Sequence, residues 1–234
     1  RLKHFALEHE VHNLWNSSVA AACKARDKFG SGRIAGSIGP LRASYRPDIC
    51  PPVEEASSIY KEKVESIAPM VDILLVETVC SLKQAKGVLA ATDNSNKPVW
   101  ISFSVDDNDG TKLRSGENLE DVKAVINNHF VEAVLINCSP PEVVGNALSI
   151  ISKMGLAFGA YANGFSKISS DFLKTRPTVD ALTARKDLGP EEYSNFVTNW
   201  IRNGASIVGG CCEIGPTHIS KIAQKIHELG YKTL

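Results

Sequence analysis

Short apolar segments alternate with helical segments along the whole chain, and this alternation constrains the fold more than any other feature. Each apolar segment is followed by a stretch with the 3.6-residue periodicity of an amphipathic helix. Parallel strands need crossover connections, and helices then cover both faces of the sheet, so the pattern predicts an α/β fold with a parallel sheet. The six predicted strands are residues 33–37, 71–76, 99–105, 132–137, 156–161 and 205–208.

Local signals mark several of the predicted helices in addition to their periodicity. Ser81 has the side chain of an N-cap residue, and Pro190 and Pro216 occupy first-turn positions. The connection over residues 163–188 is long and irregular, which is typical of either a lid over an active site or a surface loop. The predicted helices are residues 2–29, 53–68, 81–91, 141–154, 191–203 and 216–230, with one more that ends near residue 127.

Two architectures satisfy this alternation, an open doubly wound sheet and a (β/α)8 barrel. No G-x-G-x-x-G motif follows a predicted strand, whereas Glu77, Cys138, Asn163 and Cys211 all follow strand ends. A barrel assembles its active site at that edge, from several strand ends around one axis. We therefore predict a TIM (β/α)8 barrel domain over residues 1–234, with the first two strands missing from this chain.

The strand count also predicts how the chain behaves alone. Six strands cannot close an eight-stranded ring, so the predicted strands at residues 33–37 and 205–208 would be exposed apolar edges. We expect these 234 residues to belong to a longer chain whose N-terminal segment supplies two strands and part of the substrate pocket. Otherwise, the isolated polypeptide should be unstable and weakly active.

Composition and charge exclude several classes of function. The chain has 26 Lys and Arg residues against 26 Asp and Glu residues, and this zero net charge argues against a nucleic-acid or anionic-membrane binder. No apolar run approaches the roughly 20 residues of a membrane span, and the polar start lacks the apolar core of a secretory signal. We therefore predict a cytoplasmic protein whose six cysteines are free thiols.

Three of the cysteines are placed to share a metal ion. Cys138 ends one predicted strand, and Cys211 and Cys212 follow another, so their thiols emerge at the same edge of the sheet. Zinc prefers such soft ligands, and three protein ligands with an open fourth position are typical of a catalytic site. The alternative is three independent buried thiols, and we interpret Cys23, Cys50 and Cys80 as apolar fillers or loop residues.

A second interpretation of the glycines before Cys211 is a phosphate cradle, as found at the last two strands of many barrels. Thiolates and Glu213 would repel a phosphate there, and no Lys or Arg lies nearby in the sequence. The metal interpretation is therefore favoured.

These residues resemble the homocysteine S-methyltransferase family, whose members are zinc-dependent barrels that methylate homocysteine to methionine. The resemblance rests first on Asn137-Cys138 and on the Gly-Gly-Cys-Cys motif at residues 209–212, and it extends over essentially the whole chain. Further matching motifs are Gly36-Ser37-Ile38-Gly39-Pro40, Glu77-Thr78, Ser102-Phe103-Ser104, Asp109-Gly110-Thr111 and Asn163-Gly164. Two features depart from the family pattern: Ala162 stands where proline is usual, and the family's Asp-Gly motif and Thr/Ser-rich strand end would lie before Arg1.

The resemblance implies both the reaction and the roles of the site residues. Its partners would be homocysteine and a sulfonium methyl donor, either S-methylmethionine or S-adenosylmethionine, rather than betaine or a folate. It implies that Glu77 pairs with the substrate ammonium group and that Asn163 occupies the fourth zinc position in the resting enzyme. The alternative function is a non-catalytic or truncated barrel fragment that binds zinc or thiols without turnover.

Overall fold

The computed structural model describes residues 6–174 and 179–233. In this part of the chain, six parallel strands form one sheet in sequential order from β1 to β6. The strands are β1 Ala35–Ile38, β2 Ile73–Val79, β3 Val99–Phe103, β4 Ala133–Asn137, β5 Ala157–Tyr161 and β6 Ile207–Val208. The predicted α/β fold with a parallel sheet is confirmed.

Each strand is connected to the next through a helix that packs against the sheet. The helices are α1 Val11–Phe29, α2 Val53–Ile67, α3 Leu82–Thr92, α4 Val122–Ile126, α5 Pro141–Ile151, α6 Pro190–Arg202 and α7 Pro216–Glu228. The core lies between the sheet and these helices, where alternate strand residues such as Leu74, Val76 and Ile101 are almost completely buried. None of the helices in the described residues combines the length and hydrophobicity that a membrane span requires.

The sheet curls about one axis, as the strands of a barrel do. Glu77 of β2 accepts a hydrogen bond from Ser37 Oγ of β1 and another from the Tyr161 hydroxyl of β5 at 3.2 Å. Because β1 and β5 are separated by three strands in the sheet order, one carboxylate can join them only across a concave surface. The structure therefore has six consecutive units of the predicted (β/α)8 barrel.

The predicted start of the first helix and the predicted end of the second strand were wrong. The helix was predicted from residue 2, but α1 begins at Val11 after a short 3-10 turn, and Ala6 has a positive φ of 53° that interrupts any helix. Residues 1–5 lie outside the described part. The second strand was predicted to end at residue 76, but it continues to Val79, because Glu77 finds polar partners inside the curled sheet.

Smaller differences occur at other element ends. The third strand was predicted to reach residue 105 but ends at Phe103, since Val105 instead pairs with Leu113 in an antiparallel bridge. The last strand was predicted over residues 205–208 and has only two residues. The local helix signals are confirmed: Ser81 Oγ accepts a hydrogen bond from Gln84 N, and α6 and α7 each begin at a proline.

Candidate metal centre

Cys138, Cys211 and Cys212 meet at the carboxyl edge of the sheet. Their three Sγ atoms all lie within 4.8 Å of one another, and those of Cys211 and Cys212 are 4.0 Å apart. Cys138 is buried, Cys211 is half-buried and Cys212 is exposed, so the cluster is open on one side. All six cysteines of the chain are free thiols.

Cys138 has an unusual backbone conformation directly after β4. Its φ is +49°, which lies in the left-handed region. This conformation costs a residue with a Cβ about 1–2 kcal/mol. The Cys138 carbonyl accepts hydrogen bonds from Ser104 Oγ at 3.1 Å and from Arg114 Nη2 at 3.2 Å. These bonds hold the turn that directs the thiol toward the other two cysteines.

The loop that carries Cys211 and Cys212 continues the ladder between β5 and β6. Gly209 N donates to Ala160 O at 3.1 Å, and Cys211 N donates to Ala162 O at 2.9 Å. Gly164 N in turn donates to Cys212 O at 2.8 Å. The two cysteines are therefore held by backbone pairing although the regular part of β6 is short.

A buried tyrosine and a glycine shape the same loop. The Tyr193 hydroxyl of α6 accepts a hydrogen bond from Ala162 N at 3.0 Å and donates one to Gly209 O at 2.8 Å. A Cβ at Gly210 would lie 2.1 Å from the Ile214 Cγ2 atom, so the chain can pass under Ile214 only at a glycine. Gly210 of the Gly-Gly pair is therefore required by close packing.

The directions in which the pKa values of the three thiols are shifted favour a single negative charge on the cluster. Hydrogen bonds from Cys138 and Cys211 hold the pKa of the Cys212 thiol well below its usual value. The hydrogen bond with Cys138, together with burial, raises the pKa of the Cys211 thiol. The hydrogen bond from Cys211 lowers the pKa of the Cys138 thiol. The hydrogen bond with Cys212 and burial outweigh this effect, and together they raise the pKa of Cys138 to about 11.

The geometry and chemistry of the cluster fit a zinc ion. Three sulfurs bound tetrahedrally at about 2.3 Å from zinc would lie about 3.8 Å apart, close to the 4.0 Å between the Cys211 and Cys212 sulfurs. A divalent cation would also neutralise the charge that prevents the second and third thiols from ionising.

Glu77 lies on the concave face of the sheet at an irregularity in β2. The pairing of β2 with β3 shifts register between Val76 and Val79, and Thr78 has a φ of +59°. The Asn137 side chain holds this bulge, because its Oδ1 accepts from Thr78 N at 2.9 Å and its Nδ2 donates to Thr78 Oγ1 at 3.0 Å. The same Nδ2 lies 4.0 Å from Cys211 Sγ, so Asn137 links the Glu77 bulge to the cysteine cluster.

The Glu77 carboxylate also changes the titration of its neighbour. Burial, and next the negative charge of Glu77, raise the pKa of the Tyr161 hydroxyl well above its usual value. The phenol therefore stays protonated and donates its hydrogen bond to the carboxylate.

Asn163 is buried close to this edge, but its side chain makes a local contact. Its Oδ1 accepts a hydrogen bond from Phe165 N at 3.2 Å, and its backbone N donates to Ser139 O. The structure thus places Asn163 beside the strand that carries Cys138, with its oxygen engaged in the turn after β5.

The long segment after β5 contributes an apolar wall beside the cysteines. Phe172 is buried against Tyr45, with 5.7 Å between the ring centroids. These two rings form one buried cluster with Cys80 and Cys138, against which Ile168 and Cys211 also pack. Burial raises the pKa of the Cys80 thiol to about 12, so this thiol stays protonated. Residues 165–173 of the predicted irregular connection therefore cover the buried side of the site, and residues 175–178 lie outside the described part.

Three residues that support the site were not predicted from the sequence. Arg114, Asn137 and Tyr193 all position cysteine-bearing loops through contacts over long sequence distances. For Asn137 there was a signal, because it directly precedes Cys138 in a matching motif. For Arg114 there was none, since it is 24 residues from Cys138 and only the fold brings it close.

The fold and the site together define a class of protein, a parallel β/α barrel with a thiol cluster at the carboxyl ends of its strands. Residues 1–226 match the sequence profile of the homocysteine S-methyltransferases. The chain therefore belongs to this family of methyltransferases.

Individual relatives agree with this assignment. Homocysteine S-methyltransferase 1 of Brassica oleracea var. italica is 26% identical over 93% of this chain and 72% of its own length. Homocysteine S-methyltransferase YbgG of Bacillus subtilis is 27% identical over 92% of this chain and 71% of its own length. The crystal structure of the metallated homocysteine methyltransferase MmuM from Escherichia coli superposes with a TM-score of 0.74 at 24% identity, over 92% of this chain and 70% of that one.

Proposed function

We propose that this protein transfers a methyl group from a sulfonium donor to the thiol of homocysteine, with a zinc ion held by Cys138, Cys211 and Cys212. The observation that carries the proposal is the convergence of these three sulfurs within 4.8 Å at the carboxyl edge of the sheet. Membership of the homocysteine S-methyltransferase family supports the choice of substrate. The existence of a metallated form of MmuM, which shares this fold, supports the choice of a metal.

The nucleophile in this reaction is the thiolate of homocysteine. A thiol with a pKa near 8.5 is mostly protonated at neutral pH, so the thiolate form has to be stabilised. A bound zinc ion would supply the charge that favours the thiolate form of homocysteine. The sulfur lone pair then attacks the methyl carbon, and the donor C–S bond breaks with its electron pair left on the donor sulfur. The products are methionine and a neutral thioether, so the methyl carbon needs no general base.

The role of Glu77 in this proposal is to bind the ammonium group of homocysteine. Ser37 and Tyr161 use two of the four acceptor positions of its carboxylate, which leaves others for a substrate cation. These same bonds hold the carboxylate in one orientation on the concave face. Its link through Thr78 and Asn137 to Cys211 supports a fixed distance between the ammonium site and the sulfur site.

The apolar wall has a complementary role. Tyr45 and Phe172 cover the buried side of the cluster, where they would exclude water from a charged sulfur nucleophile. By family resemblance, Asn163 is proposed to occupy the fourth zinc position in the resting enzyme and to leave it when homocysteine binds. Its local bond to Phe165 would have to break for the side chain to reach a metal.

The test is methionine formation from homocysteine with each donor separately. We expect turnover with S-methylmethionine or S-adenosylmethionine and no comparable rate with betaine. A Cys138→Ser variant should lose the activity, whereas Cys23→Ser, a matched change in α1 away from the cluster, should retain it. A zinc-loaded protein that forms no methionine with either sulfonium donor would instead favour a non-catalytic zinc-binding barrel.

A further inference from the structure

The site contains a buried ion pair that the proposed reaction does not use. The side chains of Arg114 and Asp107 are only 8% and 11% exposed, and Arg114 Nη2 lies 2.6 Å from Asp107 Oδ1. The guanidinium also lies over the Tyr45 ring, with its Cζ 4.5 Å from the ring centroid. A buried arginine in a fixed, stacked position can direct its donors with little freedom.

Arg114 directs two of these donors to the turn at Cys138. Its Nε donates to Ser104 Oγ at 2.7 Å, and its Nη2 donates to the Cys138 carbonyl at 3.2 Å. Ser104 Oγ donates to the same carbonyl at 3.1 Å. Arg114 thus holds, directly and through Ser104, the one clustered cysteine whose backbone is left-handed.

Asp107 continues the connection on the other side of the arginine. Its Oδ2 accepts a hydrogen bond from Ile168 N at 2.9 Å. Ile168 belongs to the segment over residues 165–173, which packs Phe172 on Tyr45 beside the cysteines. An unbroken series of polar contacts therefore runs from Cys138 through Arg114 and Asp107 to the segment that covers the site.

We propose that Arg114 is a positioning residue that couples the metal-binding geometry of Cys138 to the covering segment at residues 165–173. This inference rests on the proposed zinc centre. Occupation of the metal site fixes Cys138 and, through the ion pair, stabilises the amide of Ile168. Conversely, loss of the guanidinium releases both the cysteine turn and the segment.

Two substitutions at Arg114 distinguish the role of its hydrogen-bond donors from the roles of its charge and its volume. Arg114→Met keeps much of the side-chain volume but removes every donor. Arg114→Lys keeps the positive charge, but its single nitrogen cannot reach Asp107, Ser104 and the Cys138 carbonyl with the same geometry.

Arg46→Gln is the matched control. Arg46 Nη1 donates to Leu173 O and its other nitrogens pair with Asp48, so it holds the same segment without touching the Cys138 turn. The zinc affinity of each variant is measured under reducing conditions by competition with a chromophoric chelator. Cobalt absorption reports the thiolate ligand geometry, and hydrogen exchange reports protection of residues 165–173.

We expect Arg114→Met to weaken zinc binding about 10- to 100-fold, the range seen when partners of metal ligands are removed. Its cobalt spectrum should change, and zinc should no longer protect Ile168 from exchange. Arg114→Lys should fall between wild type and Arg114→Met. Arg46→Gln should speed exchange near Leu173 and weaken zinc binding much less than Arg114→Met, because it leaves the hydrogen bonds to the Cys138 carbonyl in place.

Wild-type zinc affinity in a folded Arg114→Met variant would overturn the proposal. If that variant does not fold, unchanged zinc affinity and cobalt spectrum in Arg114→Lys would overturn it instead. Equal loss of zinc affinity in Arg46→Gln would also overturn it, because the effect would then follow from any loosening of the segment. Failure of the wild-type protein to bind zinc would contradict the proposed function itself. Zinc binding by the wild-type protein is therefore measured before any variant is compared with it.

Discussion

Among the clustered thiols, the pKa of Cys212 is lowered while those of Cys138 and Cys211 are raised. At pH 7 the metal-free cluster therefore holds one thiolate and two thiols. Zinc binds three thiolates, so its binding should release about two protons. Because the metal-free state holds more protons, zinc affinity should rise with pH, by about 100-fold per pH unit near neutrality.

Calorimetry of zinc binding in buffers with different ionisation enthalpies measures this proton release directly. Competition with a chelator at several pH values gives the same quantity independently. Zinc affinity that does not change between pH 6 and pH 8 would contradict the presence of two protonated thiols in the metal-free cluster.

At Glu77, the proposal predicts a defect in substrate binding without loss of metal. Glu77→Gln removes the charge that would pair with the homocysteine ammonium, and hydrogen bonds to charged groups contribute about 1.5–3 kcal/mol. We expect kcat/KM for homocysteine to fall about 10- to 100-fold. Zinc content should stay unchanged, because the described contacts of Glu77 are with Ser37 and Tyr161 rather than with the sulfurs.

The matched control is Glu55→Gln on α2, which breaks only an exposed ion pair with Arg42 and should leave the kinetics unchanged. An unaltered kcat/KM in Glu77→Gln would assign the ammonium site elsewhere.

How far the sequence predicts individual residues depends on the range of their contacts. The cysteines and Glu77 could be predicted because strand ends of a parallel sheet meet at one edge. Arg114 could not, because its partners lie 10, 24 and 7 residues away in sequence and meet it only in the folded chain. The sequence places no Lys or Arg close to Cys211 and Cys212, whereas the fold brings Arg114 to the Cys138 carbonyl.

At the scale of elements, α6 fastens the ends of β5 and β6 through Tyr193. Tyr193→Phe would leave Ala162 N and Gly209 O without their buried partner. A buried donor or acceptor that loses its hydrogen-bond partner destabilises the folded state, so we expect the free energy of unfolding to fall by about 1–3 kcal/mol. Urea denaturation monitored by circular dichroism measures the change.

Tyr231→Phe removes the same hydroxyl from a side chain that is 55% exposed, and it should change stability by less than about 0.5 kcal/mol. Equal stability of the two variants would show that the Tyr193 bridge contributes nothing to the loop.

Element boundaries were the least predictable part of the fold. A carboxylate usually ends an apolar strand, but Glu77 remains inside β2 because Ser37 and Tyr161 reach it from β1 and β5. Only the curvature of the sheet supplies these partners. Conversely, the predicted last strand began too early, because Ala205 N donates to Trp200 O at the end of α6 and does not pair with β5.

For the whole molecule, the order of the strands followed from the alternation of strand and helix, since sequential right-handed crossovers place each strand beside the last. In the described residues, β1 pairs only with β2, and β6 pairs only with β5. The outer edges of both strands therefore present unpaired backbone groups, which can pair with another chain.

These edges predict that the 234-residue polypeptide associates with itself as its concentration rises. A lysine on the exposed side chain position of β1, Ala35→Lys, should reduce the association, because an edge charge opposes strand pairing. Sedimentation velocity over a range of concentrations tests both statements. A wild-type chain that stays monomeric throughout would show that its edges are protected.

The central claim is that three cysteines from two strand ends hold one zinc ion, and metal analysis tests it most directly. Protein purified under reducing conditions should contain about one zinc per chain, because the three thiols form a single site. Cys211→Ala should abolish this content while Cys23→Ser retains it. Absence of zinc from the wild-type protein, or full zinc content in Cys211→Ala, would contradict the claim.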